Sequence, residues 1–144
     1  MRRSPWQWAT LPLRHYAKFS GRAPRPEFWW FHLLTVLLWV AAITLDQFLP
    51  AAWLVDDAFG PLGIIVVAAT VVPWLAALVR RLHDSGKSGW YALVTFMPYI
   101  GVLALFWLAS RPGIPDANDY GEDPYGRTAT TGLVEPTVRA SARS

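Results

Sequence analysis

Arg80, Arg81, His83, Asp84 and Lys87 crowd into the short stretch "RRLHDSGKSGW", between two long apolar runs. An imidazole beside a carboxylate can move a proton or ligate a metal, and a Gly-Lys-Ser sequence can end a phosphate loop. A phosphate loop, however, needs G-x-x-x-x-G-K-[ST] after a strand, and here Arg81 stands where the first glycine belongs. A turn accounts for the same residues. Asp84, Ser85 and Gly86 are turn formers, Arg80 and Arg81 complement the carboxyl end of a helix, and Ser88 can cap the next one. The three histidines, His15, His32 and His83, lie in separate segments with no ligand spacing, so no metal site is expected. His32 falls inside an apolar run, where a structural hydrogen bond is the expected use. No Ser, His and acid set is suited to nucleophilic catalysis, and the acids lie in loops or at helix ends. Neither catalytic residues nor a cofactor is expected; a membrane enzyme acting on a lipid-linked substrate, with His83 and Asp84 as its acid/base pair, ranks third behind a binding module and a transporter.

The elements that must position these residues are apolar. The 144-residue chain is 53% apolar and 16% charged, against about 25% charged in soluble domains. Three windows, residues 28–45, 58–79 and 90–109, are nearly free of charge. Each approaches the roughly 20 residues that a helix needs to cross about 30 Å of hydrocarbon. The expected fold is therefore all-α and polytopic, with three transmembrane helices at 28–45, 58–79 and 90–109. A basic segment (1–27) precedes them, and a polar tail (110–144), expected to be flexible, comes after. The first apolar run begins at Phe28 and exceeds a signal-peptide core, so it reads as an anchor that stays in place. There is no cysteine, which excludes disulfides and thiolate metal sites. A net charge of +3 is modest for a nucleic-acid binder, so no nucleic-acid partner is expected.

Charge then orients the spans. Residues 1–27 hold Arg2, Arg3, Arg14, Lys18, Arg22 and Arg25 against Glu27 alone, which places them in the cytoplasm. Trp8, Leu11, His15 and Phe19 recur at helical spacing and predict either a short interfacial helix or an irregular basic arm. The 46–57 loop carries Asp46, Asp56 and Asp57 without Lys or Arg and goes outside; the 80–89 loop returns inside, and after a third crossing the tail lies outside. Pro61, Gly63 and Pro73 leave a second arrangement open, in which the second run is broken and the tail is inside. Pro73 and Pro98 are expected to kink their helices. Ala68, Ala69, Ala76 and Ala77 form a small face for close helix approach.

In this topology Arg22, Arg25 and Glu27 meet Arg80, Arg81, His83, Asp84 and Lys87 at one membrane face, with Trp90 as an interfacial anchor. Glu27 has Arg80 or Arg81 as an expected partner, and Asp84 has Arg22, Arg25 or Lys87. Surplus positive charge would face lipid phosphates, at about 1 kcal/mol per Lys or Arg near an anionic surface. The leading functional expectation is a binding module in which Arg22, Arg25, Arg80, Arg81 and Lys87 engage anionic headgroups or an acidic partner. The second is a subunit of an oligomeric small transporter or channel, with His32, His83 and Asp84 beside an ion path. A homo-oligomer or a membrane-protein partner is compatible with both.

Three stretches, "FSGRAPRPEFWWF" at 19–31, "RRLHDSGKSGWYALVTFMPYIG" at 80–101 and "GIPDANDYGEDPYG" at 113–126, resemble the signatures of the domain of unknown function 805 family of small bacterial inner-membrane proteins. The family pattern falls on Gly21, Arg22, Arg25, Glu27, Phe28 and Trp29, then on Arg80, Arg81, Leu82, His83, Asp84, Ser88, Trp90, Pro98 and Gly101. Its last part falls on Asn118, Tyr120, Gly121 and Pro124. The resemblance implies a helical inner-membrane protein and a shared role for the Arg/His/Asp cluster, and it supplies no activity. It also implies that the tail motif forms a specific turn. If that turn folds onto the arginines, the tail is cytoplasmic.

Overall fold

A computed structural model describes residues 3–50, 53 and 60–126. Helix α1 spans Pro5–Arg14, opened by a capping box in which the Ser4 side chain accepts from the Gln7 amide and the Gln7 side chain accepts from the Ser4 amide. Helix α2 spans Arg25–Asp46; Pro26 sits in its first turn, where a missing N–H costs nothing, and Glu27 faces the positive end of the helix dipole. Helix α3 spans Pro61–Asp84 and continues through Pro73. Both are long and apolar enough to cross a membrane. They pack against each other, and α1 lies against both.

The second apolar run thus forms a longer helix than its composition predicts. Arg80, Arg81, His83 and Asp84 make up its last turn instead of a loop. It stops at a glycine-closed end: Gly86 adopts φ +71, its amide donates to His83 O at 3.0 Å, and the Lys87 amide donates to Leu82 O at 3.0 Å. That pairing satisfies the last carbonyls of the helix. The "DSGKSG" stretch is this helix end, and the Ser88 side chain caps the short helix that begins at Gly89.

The expected third continuous span, 90–109, does not form. Gly89–Phe96 is a 3-10 helix, Tyr99 turns the chain with φ 67, and α4 spans only Gly101–Ser110. At roughly 2.0 Å per residue the first limb extends about 16 Å, and at 1.5 Å the second extends about 15 Å, half a bilayer each. The break occurs where Pro98 cannot continue a hydrogen-bond ladder and where Gly101 lets the limbs close: a Cβ there would strike the Thr95 carbonyl. Both limbs pack on the same half of the α2/α3 pair. Ala92, Leu105, Leu108 and Ala109 join a core with Phe28 and Phe31 from the start of α2 and Leu78 and Leu82 from the end of α3. The chain therefore returns to the end from which it left. Outward-facing Leu37, Val40, Ile65 and Leu103 leave an apolar exterior fit for lipid.

The tail is corrected with it. Residues 111–126 form turns held to the end of α3, at the same end of the bundle as Arg22 and Asp84, whereas three full crossings would put tail and arginines on opposite sides. Residues 127–144 of the expected flexible tail lie outside the described residues.

Candidate functional site

Two arginines organise the end where α2 starts and α3 stops. Arg81 is fully buried. Its Nε donates to Ala109 O at 2.9 Å, one Nη donates to Ala23 O at 3.2 Å and to the Asp84 carboxylate, and the other donates to Arg111 O. Ala109 belongs to the last turn of α4, whose carbonyls have no partner within the helix. The five-donor fork of Arg81 supplies partners that a lysine's single ammonium could not reach together.

Arg22 does the same for the tail. Its Nε donates to Asp84 Oδ1 at 3.0 Å, its Nη1 to Asp116 O at 2.6 Å and Gly121 O at 3.3 Å, and its Nη2 to Ile114 O. The same Nη2 lies 2.9 Å from Asp84 and 3.7 Å from Asp123. Side chains of Arg22 and Asp84 are each 1% exposed. Asp84 thereby receives two guanidinium groups from opposite sides. The tail motif answers with its own bonds to α3: the Ile114 amide donates to Asp84 O at 2.9 Å and Asn118 Nδ2 to His83 O at 2.9 Å. Asn118 and Gly121 pair through both backbone bonds at 3.0 Å, and the Tyr120 ring stacks on His83 with centroids 3.8 Å apart. Gly113 has to be glycine, since a Cβ would enter the Asp84 carboxylate.

Each residue named from sequence now has a place. Glu27 pairs with Arg80 at 2.7 Å. Arg25 Nε donates to Arg111 O at 3.1 Å, the Lys87 ammonium lies 5.1 Å from the Tyr91 ring centroid, and Trp90 is exposed. Pro124 lines a cavity beside α1. The arginines expected to form a headgroup-facing surface are thus largely internal: Arg22 and Arg81 spend their donors on carbonyls and on Asp84. Their partners sit 58 to 99 residues away along the chain for most of these bonds, which is why the pattern resembles surface charge.

His32 stands apart from the head. It accepts from the Trp74 indole at 2.9 Å and stacks on Phe28, while His83 Nδ1 lies 3.2 Å from Gly21 O. The expected grouping of His32 with His83 and Asp84 is not assembled. Among the described residues, no three or more His, Cys, Asp or Glu side chains converge as a metal site.

Sequence reasoning misses two features. Asp46, expected to be an external loop acid, is fully buried and accepts from the amides of Gly60 (3.2 Å), Leu62 (3.1 Å) and Gly63 (2.8 Å), capping α3 from a distant part of the chain. The other is a basic cavity between α1 and the Glu27–Arg80 pair, to which Arg3, His15 and Lys18 contribute. The only sequence signal for it is the helical spacing of Trp8, Leu11 and His15.

The profile of the family described as "Protein of unknown function (DUF805)" matches residues 16–122, from the turn before α2 to the Asn118–Gly121 bridge. The chain belongs to this family. It is 35% identical to the inner membrane protein YhaH of Escherichia coli K12 over 117 residues, covering 81% of this chain and 95% of YhaH. It is 38% identical to the inner membrane protein YhaI of the same strain over 118 residues, covering 82% and 95%. No solved structure matches. This DUF805 protein is a multi-pass protein of a bacterial inner membrane, in keeping with those relatives and with its two apolar helices. The matched region contains Arg22, Arg81 and Asp84.

Proposed function

We propose that this DUF805 protein is a membrane-anchored binding module. Two spans and a half-depth hairpin carry a charged head at the cytoplasmic face, with residues 3–24 and 111–126 on that side. The positive-inside bias of residues 1–27 supports the orientation, and the return of α4 to Arg81 supports the shared side of the tail.

One observation favours binding over transport. Apart from Asp46, which caps α3 at the far end, the ionic side chains of the spans gather at the head, whereas polar side chains along the spans close on partners within or between α2 and α3. Thr35 donates to Phe31 O at 2.9 Å, Thr70 to Val66 O at 2.6 Å, and the Trp39 indole to Thr70 at 3.3 Å. The cavity these residues line, of about 240 Å³, is otherwise walled by Val36, Val71, Trp74, Phe96 and His32, whose ring nitrogen is taken by the Trp74 indole at 2.9 Å. An ion path needs polar groups strung from face to face.

The test is flux. Purified protein reconstituted in liposomes with an entrapped pH dye and an imposed potential is expected to leak protons and potassium no faster than protein-free liposomes. A flux abolished by His32→Ala or Asp84→Asn would replace the binding reading with the transporter one.

A further inference from the structure

The cavity beside α1 has the chemistry of a ligand site. Its volume is about 550 Å³, and Arg3, Trp8, His15, Lys18, Glu27 and Arg80 are among its walls. Small-molecule sites span roughly 300–1,000 Å³. Its walls are amphiphilic, with Trp8 and Leu11 offering apolar surface beside the cations.

Two buried side-chain atoms have no hydrogen-bond partner among the described residues: Arg80 Nη2 and His15 Nδ1. Both residues line this cavity. Arg80 is 4% exposed; its Nη1 is held by Glu27 at 2.7 Å and its Nε by Ala76 O at 3.3 Å, which fixes the guanidinium and leaves one N–H edge free. A buried donor without a partner is costly, and an acceptor arriving in the cavity recovers that cost.

Charge decides which acceptor. Arg3, Lys18, Arg22 and Arg80 line the cavity against the single carboxylate of Glu27. Glu27 is committed to Arg80, and Asp84 balances Arg22. Arg3 and Lys18 have no carboxylate partner among the described residues; Arg3 lies over the Trp8 ring at 5.0 Å. A phosphate offers several oxygens to donors approaching from different sides, which suits a fixed guanidinium edge, an ammonium and a second guanidinium.

We infer that this cavity binds a phosphate group, carried either by an anionic phospholipid or by a soluble phosphate. Arg80 Nη2 is the fixed donor, Lys18 and Arg3 close over the phosphate from the rim, and Trp8 and Leu11 cover the apolar part of the ligand. The inference rests on the binding-module reading and names the ligand class for it.

The experiment uses the full chain in two arms. In the first, protein in neutral detergent is titrated with inorganic phosphate at constant ionic strength against chloride, by calorimetry. In the second, nanodiscs of phosphatidylcholine with and without phosphatidylglycerol are analysed by native mass spectrometry for retained lipid. Phosphate binding assigns the site to a soluble phosphate, and selective retention of phosphatidylglycerol assigns it to a headgroup; either supports the inference. Arg80→Lys keeps the pair with Glu27 and removes the free edge, and is expected to weaken binding roughly tenfold or more. Arg3→Ala with Lys18→Ala, both on exposed residues, is expected to do the same without changing thermal unfolding. The inference is overturned if neither probe binds, or if both variants bind like the parent. Absent binding with no flux and with the tail on the cytoplasmic side would remove this site alone. Flux, or an external tail, would remove the binding-module reading.

Discussion

Asp84→Asn tests whether the head is held together by charge. The substitution keeps the shape of the side chain and one carbonyl acceptor but removes the negative charge that faces Arg22 Nε at 3.0 Å, Arg22 Nη2 at 2.9 Å and Arg81. Both guanidiniums remain buried by their own carbonyl contacts. Removing one partner of a buried pair costs about 3–5 kcal/mol, largely because the other charge is left uncompensated. Here two arginines lose the same partner, so the upper part of that range is expected. Against total stabilities of roughly 5–15 kcal/mol for folded domains this is a large fraction. The assay is denaturation of the detergent-solubilised protein in sodium dodecyl sulfate, monitored by tryptophan fluorescence, with hydrogen–deuterium exchange at the Ile114 amide as a local readout. The variant is expected to unfold at markedly lower denaturant and to exchange faster at the Ile114 amide, which donates to the Asp84 carbonyl at 2.9 Å. A double-mutant cycle with Arg22→Gln is expected to give a favourable coupling of about 1.5–3 kcal/mol, the range for a hydrogen bond to a charged group. An Asp84→Asn protein within about 0.5 kcal/mol of the parent, the usual scatter of surface substitutions, refutes the reasoning.

Asp46→Ala removes three acceptor contacts from the start of α3 and is expected to lower stability by about 2 kcal/mol, the upper end for a lost cap, read as a fall in the thermal midpoint. Gly60→Ala should be destabilising by another route, since its Cβ would lie 2.6 Å from Asp46 Cγ. Gly101→Ala drives a methyl group into the Thr95 carbonyl; the hairpin limbs are expected to separate, speeding hydrogen exchange at the Ile114 amide while α2 and α3 stay folded. The phosphate site should depend on pH through His15. Burial, then Arg80, Lys18 and Arg3, holds its imidazole below the ordinary value, so the free site is neutral there near pH 7. A bound phosphodiester adds negative charge among these cations and the Glu27 and Arg22 that share the cavity, raising that value, so binding takes up a proton. Phosphatidylglycerol retention is therefore expected to tighten as pH falls toward the lowered value of His15, and His15→Gln to flatten that slope.

The two long spans are legible in sequence because eighteen or more uncharged residues have few other uses in so short a chain. Their ends are less so. Arg80 to Asp84 look like a loop by charge, yet they finish α3 because arginine forks and Asp84 find partners in residues 22, 23, 109 and 111, which no local pattern reports. The third apolar run illustrates a different limit. Composition is the same for a straight helix and for two half-depth limbs; only Pro98 and Gly101 mark the break, and a proline alone also fits a kinked span. The likeness of the tail to a family signature points to its fold-back on the arginines where charge counting does not, since Arg111 is the only basic residue near that end of the third run. Asp46 is legible only as a loop acid, because its partners are backbone amides 14 to 17 residues further along the chain. Arg3, His15 and Lys18 come together only once α1 is placed against α2 and α3.

The side on which the tail lies separates a returning hairpin from a third crossing, and the absence of cysteine makes it directly measurable. Single cysteines at Phe48, Ser85 and Ala117 are probed with a membrane-impermeant maleimide on intact spheroplasts and on inverted inner-membrane vesicles. Phe48, 81% exposed beyond the far end of α2, should label on spheroplasts. Ser85→Cys and Ala117→Cys should both be protected on spheroplasts and both label on inverted vesicles, as a returning hairpin requires. Labelling of Ala117→Cys on intact spheroplasts, with Ser85→Cys protected, would mean a third full crossing and would contradict the fold-back of the tail onto Arg22 and Asp84.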